Sequence, residues 1–155
     1  MLDVVLVPGL TASTWTLGSL RHRLESEGFA CHWPGFDVQT AIHGELDLLA
    51  RTVRELGSCA LVGHSWGGLQ AVTLALADNP HVCGVIGLGT PLLGKVNPRA
   101  PYYEARSLTD RWLPLAGPLE IRKFFTLHSL LPFDSAVQDF VVEKLRAIRD
   151  SASSR

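Results

Sequence analysis

The chain predicts an α/β fold, an open and mostly parallel sheet of about five strands flanked by helices. Three observations predict it. Short apolar runs (Val4-Val5-Leu6-Val7, Cys59-Ala60-Leu61-Val62 and Val82–Leu88) alternate with segments of helical spacing. The connections are short, and right-handed crossovers of that length make neighbouring strands parallel, with helices on both faces. Finally, Gly63-His64-Ser65-Trp66-Gly67-Gly68 joins one apolar run to a helix-forming run as a G-x-S-x-G strand–turn–helix.

Taken in order, the β-branched run 4–7 is closed by Pro8-Gly9. A helical pattern follows from 13 or 14 to about 27, with Trp15, Leu17, Leu20 and Leu24 as its apolar positions. Gly28 stops it, Phe29-Ala30-Cys31-His32-Trp33 resumes an extended run, and Pro34-Gly35-Phe36 opens a loop to about 41. Leu46, Leu49, Val53 and Leu56 mark a helix over Glu45–Leu56, with Gly57 where a C-cap glycine belongs. The elbow strand, a helix over 66 to about 77 ended by Asp78-Asn79-Pro80, and the strand Val82–Leu88 closed by Gly89-Thr90-Pro91 come next. Prolines 98, 101, 114 and 118 then punctuate 92–119, read as an irregular, cap-like excursion containing Tyr102, Tyr103 and Trp112. Phe124-Phe125-Thr126-Leu127-His128 reads as the last strand, 135–148 as the last helix, and 151–155 as a frayed tail.

At 155 residues the chain reads as a single domain spanning 1–155. Its 46% hydrophobic and 19% charged content and net charge of -1 offer nothing to a polyanion, so nucleic acid is excluded as an expected partner. Cys31, Cys59 and Cys83 sit apart, in or beside apolar runs, as buried thiols would; disulfides and a metal site are not expected. With no signal peptide and no transmembrane segment in the pattern, the expected location is cytoplasmic.

Chance supplies roughly 0.09 G-x-S-x-G matches in a chain of this composition, so the weight rests on the strand before the motif and the helix after it. In such a turn the serine takes a strained backbone that turns its hydroxyl outward, and glycines at 63 and 67 remove collisions with neighbouring backbone. An alcohol is a poor nucleophile at neutral pH. It needs a base for its proton and donors for the oxyanion that forms at the attacked carbonyl.

Four stretches carry a family resemblance: Val4-Val5-Leu6-Val7-Pro8-Gly9-Leu10, Pro34-Gly35-Phe36, the elbow at 63–68, and Gly89-Thr90-Pro91-Leu92-Leu93-Gly94. Over about 4–140 the chain resembles the α/β-hydrolase family, and within it the small lipase- and esterase-like members. The resemblance implies Ser65 as nucleophile, Gly63 and Gly67 as elbow glycines, and the backbone N–H groups of Trp66 and Leu10 as the oxyanion hole. It points to Asp134 as the acid. A pattern like S-x-x-D-x-x-V is common there in the family, and the stretch from Ser129 to Val137 follows the last predicted strand, although with a longer Ser-to-Asp spacing. An N-cap carboxylate is the alternative for Asp134, and Asp110 and Glu104 stand behind it as acids.

The family places its base after one further strand beyond the acid, and no histidine follows Asp134. The expectation is therefore a fold lacking the last strand and its His loop, with another histidine serving or catalysis impaired. His128, read as a strand residue, and His43, in a loop, are the candidates. His64 is expected to point behind the sheet. The implied activity is hydrolysis of a carboxylic ester in a small-molecule acyl substrate, with no cofactor. A thioesterase or amide hydrolase, and a non-catalytic binding protein or inactive fragment, are the alternatives. Losing a terminal strand would leave an open apolar sheet edge, and self-association is expected through it.

Overall fold

The computed structural model describes residues 1–9, 14–34, 44–91, 95–110 and 117–154. Leu10, His43, Trp112, Leu113, the stretch 92–94 and Gly35-Phe36 lie outside the described residues. Among the described residues, six parallel strands form one open sheet: β1 (Asp3–Val7), β2 (Ala30–His32), β3 (Cys59–His64), β4 (Val82–Leu88), β5 (Tyr102–Ser107) and β6 (Glu120–Phe124). Their spatial order is β2-β1-β3-β4-β5-β6. The central strands β1, β3 and β4 are buried nearly throughout, which is why they read as continuous apolar runs rather than as alternating ones.

Among the described residues, four helices cover the sheet: α1 (Gly18–Ser26), α2 (Glu45–Leu56), α3 (Trp66–Leu76) and α4 (Ser135–Ser153). Short 3-10 turns precede α1 (Thr14–Leu17) and α4 (His128–Phe133). Leu20 and Leu24 of α1 and Phe140, Val141 and Leu145 of α4 pack with Val4, Leu6, Val62 and Ile86 on one face. Leu49 and Val53 of α2 and Ala71, Val72 and Ala75 of α3 pack with Val5, Leu61 and Val85 on the other. Alternate residues of one strand thus feed two cores.

The sheet has one strand more than the five expected, and it comes from the segment read as an irregular cap. β5 was hidden because Glu104 and Arg106 interrupt its apolar pattern, yet both are buried and internally bonded. The strand expected at 124–128 is β6, shifted towards the amino end; His128 lies beyond it, at the start of the 3-10 turn. The edge is not apolar either. Glu120, Arg122 and Lys123 lie along β6, Arg122 bridges Glu120 and Glu143, and Lys144 pairs with Glu120 and Glu143. A charged edge of this kind is poor as a template for another strand, so it does not supply what the expected self-association needs.

The Arg122 guanidinium also lies 4.7 Å from the Phe140 ring, which meets Phe124 edge-on at 5.8 Å. Phe140 therefore fastens α4 to the edge strand. Phe140→Ala should cost about 3–5 kcal/mol, read as a lower midpoint in urea unfolding.

Candidate active site

In open α/β sheets chemistry gathers beyond the carboxyl ends of the strands. Here β1, β3, β4, β5 and β6 lead at that end to Pro8, Ser65, Gly89-Thr90, Asp110 and His128. Ser65 has φ 53 and ψ -120, a left-handed conformation that an L-residue with a Cβ adopts only under constraint. The constraint is visible. The Ser65 N–H donates to the Leu88 carbonyl at 2.9 Å, and the Ser65 carbonyl accepts from Gly68 N–H at 2.9 Å.

Glycine is required on both sides of the serine. A Cβ on Gly63 would overlap the Gly67–Gly68 peptide, and one on Gly67 would collide with the Val7 and Pro8 carbonyls. The first turn of α3 can therefore lie against the exit of β1. Trp66 stands at the amino end of α3, where backbone N–H groups lack helical acceptors, and its side chain is partly exposed.

Asp110 ends a turn that starts at Ser107, the last residue of β5. Its Oδ2 accepts the Ser107 N–H at 2.8 Å, and its own N–H donates to Ser107 Oγ at 3.0 Å. Its side chain is only 3% exposed, and Oδ1 lies 2.7 Å from Nδ1 of His128. An ionised carboxylate can only accept, so Nδ1 carries the hydrogen and the neutral ring keeps its free lone pair on Nε2. The ring abuts Gly89, where a Cβ would lie 2.6 Å from Nδ1 and where φ is +65. Gly89 directly follows Leu88, the residue that holds the Ser65 amide.

Asp134 is placed differently. Its Oδ1 accepts the N–H groups of Ala136 at 2.9 Å and Val137 at 3.2 Å, which makes it the N-cap of α4. Tyr102 and Tyr103, read as part of an irregular excursion, are strand residues of β5 instead. Tyr102 is 1% exposed in the core, and Tyr103 packs under the Lys144 ammonium at 5.3 Å. His32 pairs with Asp3, and His22 is exposed on α1.

Sequence reasoning set Asp110 and His128 behind other readings. One signal could have raised Asp110: Ser107-Leu108-Thr109-Asp110 has the S-x-x-D spacing that Ser129 to Asp134 lacks.

Below Gly89-Thr90 lies a buried polar cluster. Glu104, fully buried, accepts the Thr90 N–H at 2.7 Å and the Tyr102 hydroxyl at 2.6 Å, while Arg106 donates to the Thr90 carbonyl at 3.1 Å. Gly87 makes room, since a Cβ there would overlap the Glu104 carboxylate and Thr90 Oγ1. Burial outweighs the donors and raises the Glu104 carboxyl from 4.5 to about 7.

A model of the alpha/beta hydrolase family matches residues 4–153. The chain belongs to that family. Solved structures share the fold of this alpha/beta hydrolase. A methylesterase from Arabidopsis is 15% identical with a TM-score of 0.70, over 96% of this chain and 99% of that one. A monoacylglycerol lipase from Paleococcus ferrophilus is 15% identical with a TM-score of 0.72, over 94% of each chain. The thioesterase domain from the curacin biosynthetic pathway is 10% identical with a TM-score of 0.71, over 91% of this chain and 90% of that one. At such identities the likeness is one of fold. A comparison with curated proteins finds no match. Among the described residues no helix is long and apolar enough to cross a membrane.

The raised Glu104 carboxyl links stability to pH. The folded protein keeps a proton that the unfolded chain has lost, so this group's contribution is full below about 4.5 and is lost as pH rises to about 7. Glu104→Gln should therefore gain stability on the wild type across that window and level off above it, in urea unfolding at a series of pH values.

Proposed function

We propose that the chain is a serine hydrolase that cleaves carboxylic esters of small acyl substrates through an acyl-enzyme on Ser65. The observation that carries this reading is the His128–Asp110 pair, seated on Gly89 beside the residue that holds the Ser65 amide. In the proposed reaction Ser65 Oγ attacks the ester carbonyl and His128 Nε2 takes its proton. Asp110 keeps the ring in the Nδ1–H form and stabilises the imidazolium. The N–H of Trp66, and that of Leu10 as the resemblance implies, receive the oxyanion. His128 protonates the departing alcohol, then takes a proton from the attacking water and returns it to Ser65 Oγ as the Oγ–acyl bond breaks and the acid leaves.

The expected missing strand and histidine loop followed from assigning the acid to Asp134. With Asp110 in that role, β6 is the one further strand and His128 the histidine after it. Leu127 and Leu130 flank His128, 54% and 46% exposed, and offer apolar surface to an acyl chain. Three free cysteines support the cytoplasmic setting. Thioester cleavage is the second reading, favoured by the fold shared with a thioesterase domain; the same acyl-enzyme chemistry serves both, and relative rates on p-nitrophenyl esters and acyl thioesters separate them.

A fluorophosphonate probe should label the wild type at Ser65 and leave Ser65→Ala unlabelled. His128→Ala and Asp110→Asn should each slow turnover on the order of 10³-fold or more. Asp134→Ala should keep its labelling rate and lose only about 1 kcal/mol of stability. A folded wild type that the probe does not label would instead favour a non-catalytic binding protein.

A further inference from the structure

We infer that His64 is a positioning residue for the general base, its Nε2–H holding the His128 carbonyl so that the His128 ring stands where Ser65 needs it. The inference rests on the proposed role of His128. His64 ends β3 with its side chain on the face opposite α2 and α3, 8% exposed. Its Nε2 lies 3.0 Å from the backbone oxygen of His128, and the two rings face each other at 5.1 Å with a tilt of 34°. A carbonyl oxygen only accepts, so Nε2 must carry the hydrogen.

That assignment leaves Nδ1 of the neutral ring as a buried acceptor, and among the described residues it has no hydrogen-bond partner. Burying such an atom is costly, and an apolar ring of the same size would avoid the cost. The donor end offsets it by what it holds. His128 sits on a turn that leaves the edge strand through Phe125, 93% exposed, and Leu127. Asp110 grips only the ring, about which the turn could still pivot. A second grip on the backbone removes that freedom.

His64 also suits its neighbour electrically. The titratable groups acting on it are His128 and Asp110, and burial, the largest influence, holds it below the usual histidine range. A neutral ring puts no like charge beside the imidazolium that His128 becomes during turnover.

The test compares wild type, His64→Phe, which keeps a ring and loses the donor, and His64→Gln, whose amide nitrogen restores one. The fluorophosphonate labelling rate and the pH profile of kcat/KM are read for each, with thermal midpoints recorded. His64→Phe should lose about 10- to 100-fold in labelling rate and in kcat with little change in KM, the penalty of a misplaced reacting group. His64→Gln should recover most of it. Equal labelling of wild type and His64→Phe would overturn the inference alone, as would equal losses in two folded variants. An unlabelled wild type would overturn the hydrolase reading with it. Should His64→Phe not fold, nitrogen NMR of the wild type decides: a neutral Nε2–H tautomer from about pH 6 to 8 is expected, where histidine normally titrates, and an Nδ1–H tautomer overturns the inference.

Discussion

The left-handed backbone of Ser65 is the constraint on which the carboxyl end of this sheet depends. Such a conformation costs on the order of 1–3 kcal/mol and persists only where the surroundings allow no alternative. They do so here by proximity. The Ser65 amide is tied to Leu88 on β4, its carbonyl closes the first turn of α3, and Gly63, Gly67 and Gly68 have no room for a Cβ against neighbouring peptides and Thr90. Missing side chains let three strands and a helix end meet within van der Waals contact, so the serine is fixed by backbone rather than by long, adaptable side chains.

The same economy explains a cluster that looks unfavourable at first. A carboxylic acid, a guanidinium, a phenol and a threonine lie buried between β4, β5 and α3, where apolar packing would cost less. Their bonds converge on one peptide unit. Glu104 takes the N–H of Thr90 and Arg106 supplies a donor to its carbonyl, so the turn after β4 is gripped from both sides by β5. That turn is the wall against which the His128 ring rests. Stability that an apolar core would supply is thus exchanged for a defined position, and the raised Glu104 carboxyl records the exchange.

The parts of the fold that could be read from sequence are those where local pattern and burial agree. β1, β3 and β4 are buried on both faces and appear as unbroken apolar runs; α2 carries its apolar residues at helical spacing and ends at Gly57; the elbow has its glycines on either side of the serine. β5 and β6 escaped because their patterns mislead in opposite ways. Glu104 and Arg106 are polar yet buried, since they bond Thr90 in the turn after β4, and Glu104 also bonds Tyr102 two residues back on β5, and no apolar pattern reports such partners. Phe125 is aromatic yet exposed, which drew the last strand too far towards the carboxyl end. The acid assignment inherited that shift. With the last strand read at 124–128, Asp134 stands where an acid-bearing loop belongs, although its carboxylate is engaged by the first amides of α4. The S-x-x-D spacing at Ser107 to Asp110 was legible, but only to a reader who already had β5.

His128 shows how a residue outside regular strand or helix can still be held in place. Its ring is bonded from the turn after β5, its carbonyl from the end of β3, and the ring abuts the glycine after β4. Three neighbouring strands therefore triangulate a side chain that the edge strand merely delivers. The edge strand in turn is secured from outside the sheet, by Glu143 and Lys144 of α4 pairing with Arg122 and Glu120, and by Phe140 against Phe124. The Arg122 pairs are half-exposed and contribute little each, whereas Lys144 is itself buried, so its pairs share that attachment with the aromatic contact. It follows that α4, remote in sequence from the elbow, bears on the geometry of the site through β6: loosening the helix frees the strand, and the strand sets where the turn carrying His128 begins.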